Sequence, residues 1–213
     1  GGGTFTMSGN AVISGNNTAS SATDGGGVYM MGGSGTSFVM NGGTISGNTT
    51  KGRGGGVNMW DGSFTMNGGT IGGNTAIDGG GVHMGSGSFT MSGGTIGGNT
   101  ASDGGGVYVQ NNTFTMSGGT ISGNTASTYG GGVYVGSSGT FTKTGNSVVY
   151  GDTDAFHTPG STENTAANKG HAVYRASPGY YRNETLNVGD NPDTATDTFP
   201  ALSGDTLGYW TKE

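Results

Sequence analysis

Gly79-Gly80-Gly81-Val82-His83-Met84, then Ser88-Phe89-Thr90-Met91, then Gly93-Gly94-Thr95-Ile96-Gly97-Gly98-Asn99, form one complete statement of a phrase that this chain repeats. Phe64, Phe89 and Phe114 stand 25 residues apart. Val57, Val82 and Val107 keep that step, and so do Ile71, Ile96 and Ile121. Phe38 and Phe141 extend the series at steps of 26 and 27, and Phe5 with Ile13 supplies an earlier copy. Val28 lies 29 before Val57, which places a short insertion around Lys51-Gly52-Arg53. Self-similarity at this period means one supersecondary unit stacked on copies of itself.

Inside each unit the apolar residues alternate. Val82 and Met84 flank His83, and Phe89 and Met91 flank Thr90. A period of two puts one set inward and the other outward on a strand, and no window carries helical spacing. Val, Ile, Phe, Thr and Tyr fill the runs and suit a pleated, half-buried surface. Gly-Gly and Gly-Asn pairs separate them, as turns with positive φ require.

Like residues recur at the spacing of a whole unit, so parallel stacking sets Phe on Phe and Ile on Ile. The expected fold is all-β, a right-handed parallel β-helix with about 25 residues and three short strands per coil. Five coils are clear up to about Gly139, and a sixth is degenerate near Val148-Val149 and Val173. The inward ladders are Val28, Val57, Val82, Val107, Val133; Met30, Met59, Met84, Val109, Val135; Phe38, Phe64, Phe89, Phe114, Phe141; Met40, Met66, Met91, Met116; and Ile45, Ile71, Ile96, Ile121. Lys143 takes the next Met position, and its charge predicts that the regular core ends there. Asn16, Asn48, Asn74, Asn99 and Asn124 each follow the Ile strand and predict a structural ladder of amides at one corner.

The chain has 213 residues, of which 51 are Gly, with 30% hydrophobic and 9% charged. Such composition resembles low-complexity sequence, but an ordered repeat needs continuity along an axis rather than a thick core. The net charge of −6 with seven Lys plus Arg excludes a basic nucleic-acid face. The absence of Cys excludes disulfides, thiol catalysis and Cys-based zinc sites. No apolar run approaches a membrane span. The chain opens in mid-phrase at Gly1, which reads as a fragment of a longer precursor, and the open edge of its first coil offers end-to-end self-association. Abundant Thr, Ser, Asn and Gly with little charge points to a cell-surface or secreted location.

The division falls at 1–149 for the coils and 150–213 for a degenerate last coil and a capping tail. All four Pro lie in the second part, at Pro159, Pro178, Pro192 and Pro200. A solenoid end exposes unpaired strand edges that need covering, so the tail reads as an irregular C-terminal cap.

Gly42–Ile45, Gly68–Ile71, Gly93–Ile96 and Gly118–Ile121 spell Gly-Gly-Thr-Ile. They resemble the Gly-Gly-x-Ile repeats of bacterial polymorphic outer-membrane and adhesin-like proteins. Phe38–Asn41 and Phe64–Asn67 look like the Phe-x-x-Asn partner motif of that group, while Phe89–Ser92 and Phe114–Ser117 depart from it by ending in Ser. The phrase Gly170-His171-Ala172-Val173-Tyr174 is similar to one in Gly-rich repeat surface proteins of spirochaetes and anaerobic gut bacteria. The resemblance implies a bacterial surface protein on a β-helix. It implies no cofactor and no chemistry.

Pectin-degrading enzymes share the β-helix, yet fold does not decide function. Their sites need clustered carboxylates or Asp with Arg or Lys. Asp24, Arg53, Asp78 and Asp103 each precede a Gly triplet and predict a charge ladder. Asp78 and Asp103, one coil apart, are the weak candidate for Ca²⁺ through oxygen ligands, against the plainer reading of a solvated turn. His83, His157 and His171 share no ligand spacing. Asp190, Asp193 and Asp197 do not match an EF-hand.

Two outward faces remain. One carries Tyr29, Asn58, His83, Tyr108 and Tyr134 with Trp60 nearby, groups able to stack on a glycan or a partner protein. The other flanks the Phe ladder with Thr4/Thr6, Ser63/Thr65, Ser88/Thr90, Thr113/Thr115 and Thr140/Thr142, an array that looks like the surface of some ice-binding proteins, although Val39 and the serines interrupt it. The leading expectation is a non-enzymatic adhesin or stalk segment that presents outward ladders to a glycan or a host or neighbouring surface protein. The alternatives are a polysaccharide lyase or hydrolase and an ice-binding protein.

Overall fold

A computed structural model describes residues 2–18, 24–33, 35–150, 164–168, 173–176, 180–182 and 211–212. Among them every regular element is a strand, and the strands stack as a parallel β-solenoid. The Phe row runs Thr4–Met7, Ser37–Met40, Ser63–Met66, Ser88–Met91, and then into the long strands Val107–Met116 and Val133–Lys143. Those two long strands also continue the Val row of Val28–Met30, Val57–Met59 and Val82–Met84. The Ile row runs from Val12–Ser14 through Thr44–Ser46, Thr70–Gly72, Thr95–Gly97 and Thr120–Ser122 to Val148–Val149.

Register follows side-chain identity. Phe64 pairs with Phe38 and Phe89, and Ile71 with Ile45 and Ile96. A slip of one residue would turn each of these inward side chains out to water, so the alternation enforces the pairing. The phenylalanines from Phe38 to Phe141 are almost wholly buried. Their ring centroids lie 4.5 Å apart from Phe64 to Phe89 and from Phe89 to Phe114, with planes within 6° of parallel.

Beside the three expected rows stands a shorter fourth one at the last corner. Asn17–Thr18 and Thr49–Thr50 lead through the bridges at Thr75 to Thr100–Asp103, Thr125–Tyr129 and Thr165–Ala166. Its inward side chains are Thr50, Ala76, Ala101, Ala126 and Ala166, all buried. The chain runs close to itself at this corner, where a Cβ on Gly80 would lie 2.6 Å from the Thr100 carbonyl oxygen, and small residues fit there.

The Gly triplets serve close approach. A Cβ added to Gly81 would lie 2.6 Å from the Gly106 carbonyl oxygen and 2.9 Å from Ile96 Cγ2. Lys143 is 1% exposed, so the Met column accepts it within the coil. The core does not end there. Val149, later in the same coil, and Val173, one coil further on, are both fully buried. At that end Val173–Arg175 pairs antiparallel with Tyr180–Arg182, which pairs antiparallel with Thr211–Lys212. The parallel edge of the Val row is thereby covered at the level of backbone. The rest of 150–213, including His157, His171, Asp190, Asp193 and Asp197, lies outside the described residues.

Candidate functional site

The outward column of the Val row was expected to be an open face, and the structure corrects this in its middle. Tyr29 is 46% exposed and Trp60 50%, but Asn58 and His83 are completely buried. The corner before each Val strand turns through a glycine with positive φ, 67° at Gly54 and 65° at Gly79. That turn folds the preceding loop back over the strand. A Cβ on Gly54 would sit 2.6 Å from Asn58 Cα, and one on Gly79 would sit 2.8 Å from His83 Cα. Alternation still sends Asn58 and His83 away from the Phe and Ile core, but into the lee of this loop.

His83 Nδ1 and Asn58 Oδ1 lie 2.8 Å apart, so Nδ1 carries the proton and donates. His83 Nε2 and Asn58 Nδ2 are buried without a hydrogen-bond partner. Burial first, and the Arg53 charge second, pull the His83 pKa down from 6.5 to about 3. The ring is therefore neutral at pH 7 and is no acid or base for neutral solution. Its face stacks on Tyr108 at 5.2 Å, Tyr108 on Tyr134 at 4.5 Å, and Tyr134 on Tyr174 at 5.4 Å. Burial, helped by Asp78 and Asp103, raises the Tyr108 pKa, and burial with the neighbouring Tyr108 raises that of Tyr134. Both phenols stay protonated, half-buried and available to a partner.

The acidic row is brought together as its spacing predicts. Arg53, Asp78 and Asp103 are bridged in sequence through their backbones. The carboxylates act on the coil structure itself. Asp24 Oδ1 accepts from the Arg53 amide at 2.8 Å, and Asp103 Oδ1 accepts from the Tyr129 amide at 3.1 Å. Arg53 Nε stands 3.8 Å from Asp78 Oδ2 in a partly exposed ion pair, which contributes little. Burial raises the pKa of Asp78, with Asp103 adding to it, and burial likewise raises Asp103. Among the described residues no three His, Cys, Asp or Glu converge as a metal site, so Asp78 and Asp103 have no third ligand of that kind.

The amide corner is continuous. Asn16 Nδ2 donates to Asn48 Oδ1, Asn48 to Asn74, Asn74 to Asn99 and Asn99 to Asn124, at 2.8 to 3.0 Å. Each Nδ2 from Asn48 onward also donates to an Ile carbonyl one coil back, as Asn99 does to Ile71 at 3.0 Å. Asn164 extends the ladder, its Oδ1 accepting from Asn124 Nδ2 at 2.7 Å. Sequence reading missed Asn164. The signal was present, because Asn164-Thr165-Ala166 repeats the Asn-Thr-Ala of Asn74, Asn99 and Asn124.

The other outward face is a regular grid. One column is Thr4, Ser37, Ser63, Ser88, Thr113, Thr140, and the next is Thr6, Val39, Thr65, Thr90, Thr115, Thr142, each paired in register with its neighbours. A shallow depression of about 330 Å³ borders it, lined by Gly62, Gly87, Ser88, Asn112 and Thr113. Asn112 there has φ of 67°.

Comparison of the chain with family models, with curated proteins and with solved structures finds no match.

Proposed function

We propose that this chain is a non-enzymatic β-solenoid segment of a bacterial cell-surface or secreted adhesin or stalk, and that it recognises a glycan or a surface protein. The observation that supports this reading is the register of identical inward Phe, Met and Ile side chains from coil to coil. A stack of this kind is a stiff rod with fixed outward columns, and geometry is what a stalk or a presenting surface supplies. The titratable groups point the same way. His83 is held neutral and covered, and the carboxylates of Asp24 and Asp103 hold the amides of the next coil. On the recognition face the accessible members are Tyr29, Trp60, Tyr108 and Tyr134, while Asn58 and His83 stand behind them.

The test is binding of the purified chain to an array of glycans and host-matrix proteins. A specific hit weakened severalfold by Tyr108→Ala, Tyr134→Ala or Trp60→Ala is the expected result. A blank array refutes recognition and leaves the spacer role. Turnover of an acidic polysaccharide that is lost in the Asp78→Asn, Asp103→Asn double variant would overturn the non-enzymatic reading altogether.

A further inference from the structure

The hydroxyl face beside the Phe ladder has properties that a stalk does not require. Its two columns hold twelve positions in six ranks, and eleven of them are Ser or Thr. Val39, the exception, has the shape of Thr. None of the twelve is charged or aromatic. Thr4, Thr6, Ser88, Thr90 and Thr113 are exposed, and the others are half-buried by their neighbours.

The grid is held in register from beneath. Phenylalanine rings stack under every rank, with centroid steps of 5.0, 4.7, 4.5, 4.5 and 4.8 Å. Ranks therefore recur at about 4.8 Å along the solenoid axis, and the two columns stand about 6.7 Å apart across it. Five such steps make a lattice about 24 Å long. Among the described residues no other outward surface matches it. On the Ile row the second column is broken by Gly72 and Gly97, so only single columns of Thr remain.

A ligand for such a surface must itself be periodic in two dimensions. It must present hydrogen-bonding oxygens at similar steps, and it must carry no charge for which the face would need a counter-charge. Sugar recognition draws on aromatic platforms, and the grid exposes none. Ionic surfaces need charged partners. A frozen water lattice needs neither. Hydroxyls replace lattice oxygens, bridging waters bond almost as well as direct contacts, and the Thr methyls sit in the openings between them. Each contact is weak, and a dozen fixed in register act together because the fold has already ordered them.

We propose that this Ser/Thr grid is an ice-binding surface. The proposal is independent of the recognition role assigned to the tyrosine face.

The experiment is partition of the whole chain into slowly grown ice, alongside an inert protein in the same solution, with thermal hysteresis read in parallel. Thr90→Tyr places a ring in the middle of the grid, and Thr115→Tyr does the same one rank on. Thr100→Tyr, exposed on the fourth row, is the control. Far-UV circular dichroism verifies the fold of each variant, and the Thr115 variant substitutes should the Thr90 variant misfold. Wild type and the Thr100 variant are expected to enrich in ice severalfold over the inert protein, and the grid variants to fall to its level. Wild type that partitions like the inert protein overturns the proposal. So does a grid variant that retains full partition, or a Thr100 variant that loses it. Tyr108→Ala is expected to keep full ice partition, which separates this result from failure of the tyrosine face.

Discussion

Replacing Asn99 by Leu tests what holds one coil on the next. Leu keeps the same branched side chain of four heavy atoms, though a bulkier one, so the change removes polar atoms without leaving a cavity. Asn99 Oδ1 accepts from the Asn74 backbone amide at 3.0 Å and from Asn74 Nδ2 at 3.0 Å. In the variant both donors lose that acceptor, in a corner where Asn74 and Asn99 are wholly buried. A buried donor left without its partner costs about 1–3 kcal/mol, so two cost about 2–6 kcal/mol. The added apolar burial returns about 1–2 kcal/mol. Taking the middle of both ranges, the net loss is about 2.5 kcal/mol. Asn67→Ala is the matched control. It also breaks two side-chain bonds, from Asn67 Nδ2 to Asn41 Oδ1 and from Ser92 Oγ to Asn67 Oδ1, each at 2.8 Å, but these are exposed and water replaces them. Its cost should stay within about 0.5 kcal/mol. Urea unfolding followed by far-UV circular dichroism gives both values. The slope must be compared as well as the midpoint, because coils of a solenoid can open separately. Equal stability of Asn99→Leu and wild type, or equal losses in the two variants, would refute the argument that burial makes this ladder structural.

Two glycine substitutions should differ in kind. Gly81→Ala drives a Cβ to 2.6 Å from the Gly106 carbonyl oxygen without any positive φ, so it forces neighbouring coils apart and should cost more than about 3 kcal/mol in urea unfolding. Gly98→Ala meets nothing nearer than 3.8 Å but sits at φ of 68°, so only the left-handed strain of about 1–2 kcal/mol is expected. Stability should also fall on acidification through His83. Its folded pKa of about 3 lies below the ordinary 6.5, so its contribution is full above pH 6.5 and is lost as pH falls toward 3. At about 1.4 kcal/mol per unit the loss approaches about 3 kcal/mol by about pH 4. Asp78 and Asp103, with raised pKa values, act in the opposite sense, favouring the fold as they protonate. The difference between wild type and His83→Asn cancels them, and equal pH curves for the two chains would refute the covered, neutral His83.

The ladders were legible because the repeat states them five times over. A Phe that returns at a fixed step can bury itself only by stacking, and its neighbours Thr and Met then have no choice of face. The fourth row was not legible, since Ala76, Ala101 and Ala126 add almost nothing to a hydrophobic pattern even though they are buried. Asn164 was hidden by distance. It bonds Asn124 across 40 residues, where the coil step elsewhere in the ladder is 25 or 26 between Asn48 and Asn124. Asn58 and His83 were misplaced for a different reason. Alternation decides which side of a strand a residue takes, but not what lies beyond that side, and here a glycine corner folds over it. A repeat also makes function hard to read, because every residue it conserves between its own coils already has a structural task. Information about a ligand must then come either from departures such as Trp60 and Asn112 or from a surface whose regularity exceeds what folding demands. The Ser/Thr grid is of the second kind. The core needs Phe and Met beneath and any strand-forming residue above, yet eleven of the twelve positions above carry a hydroxyl.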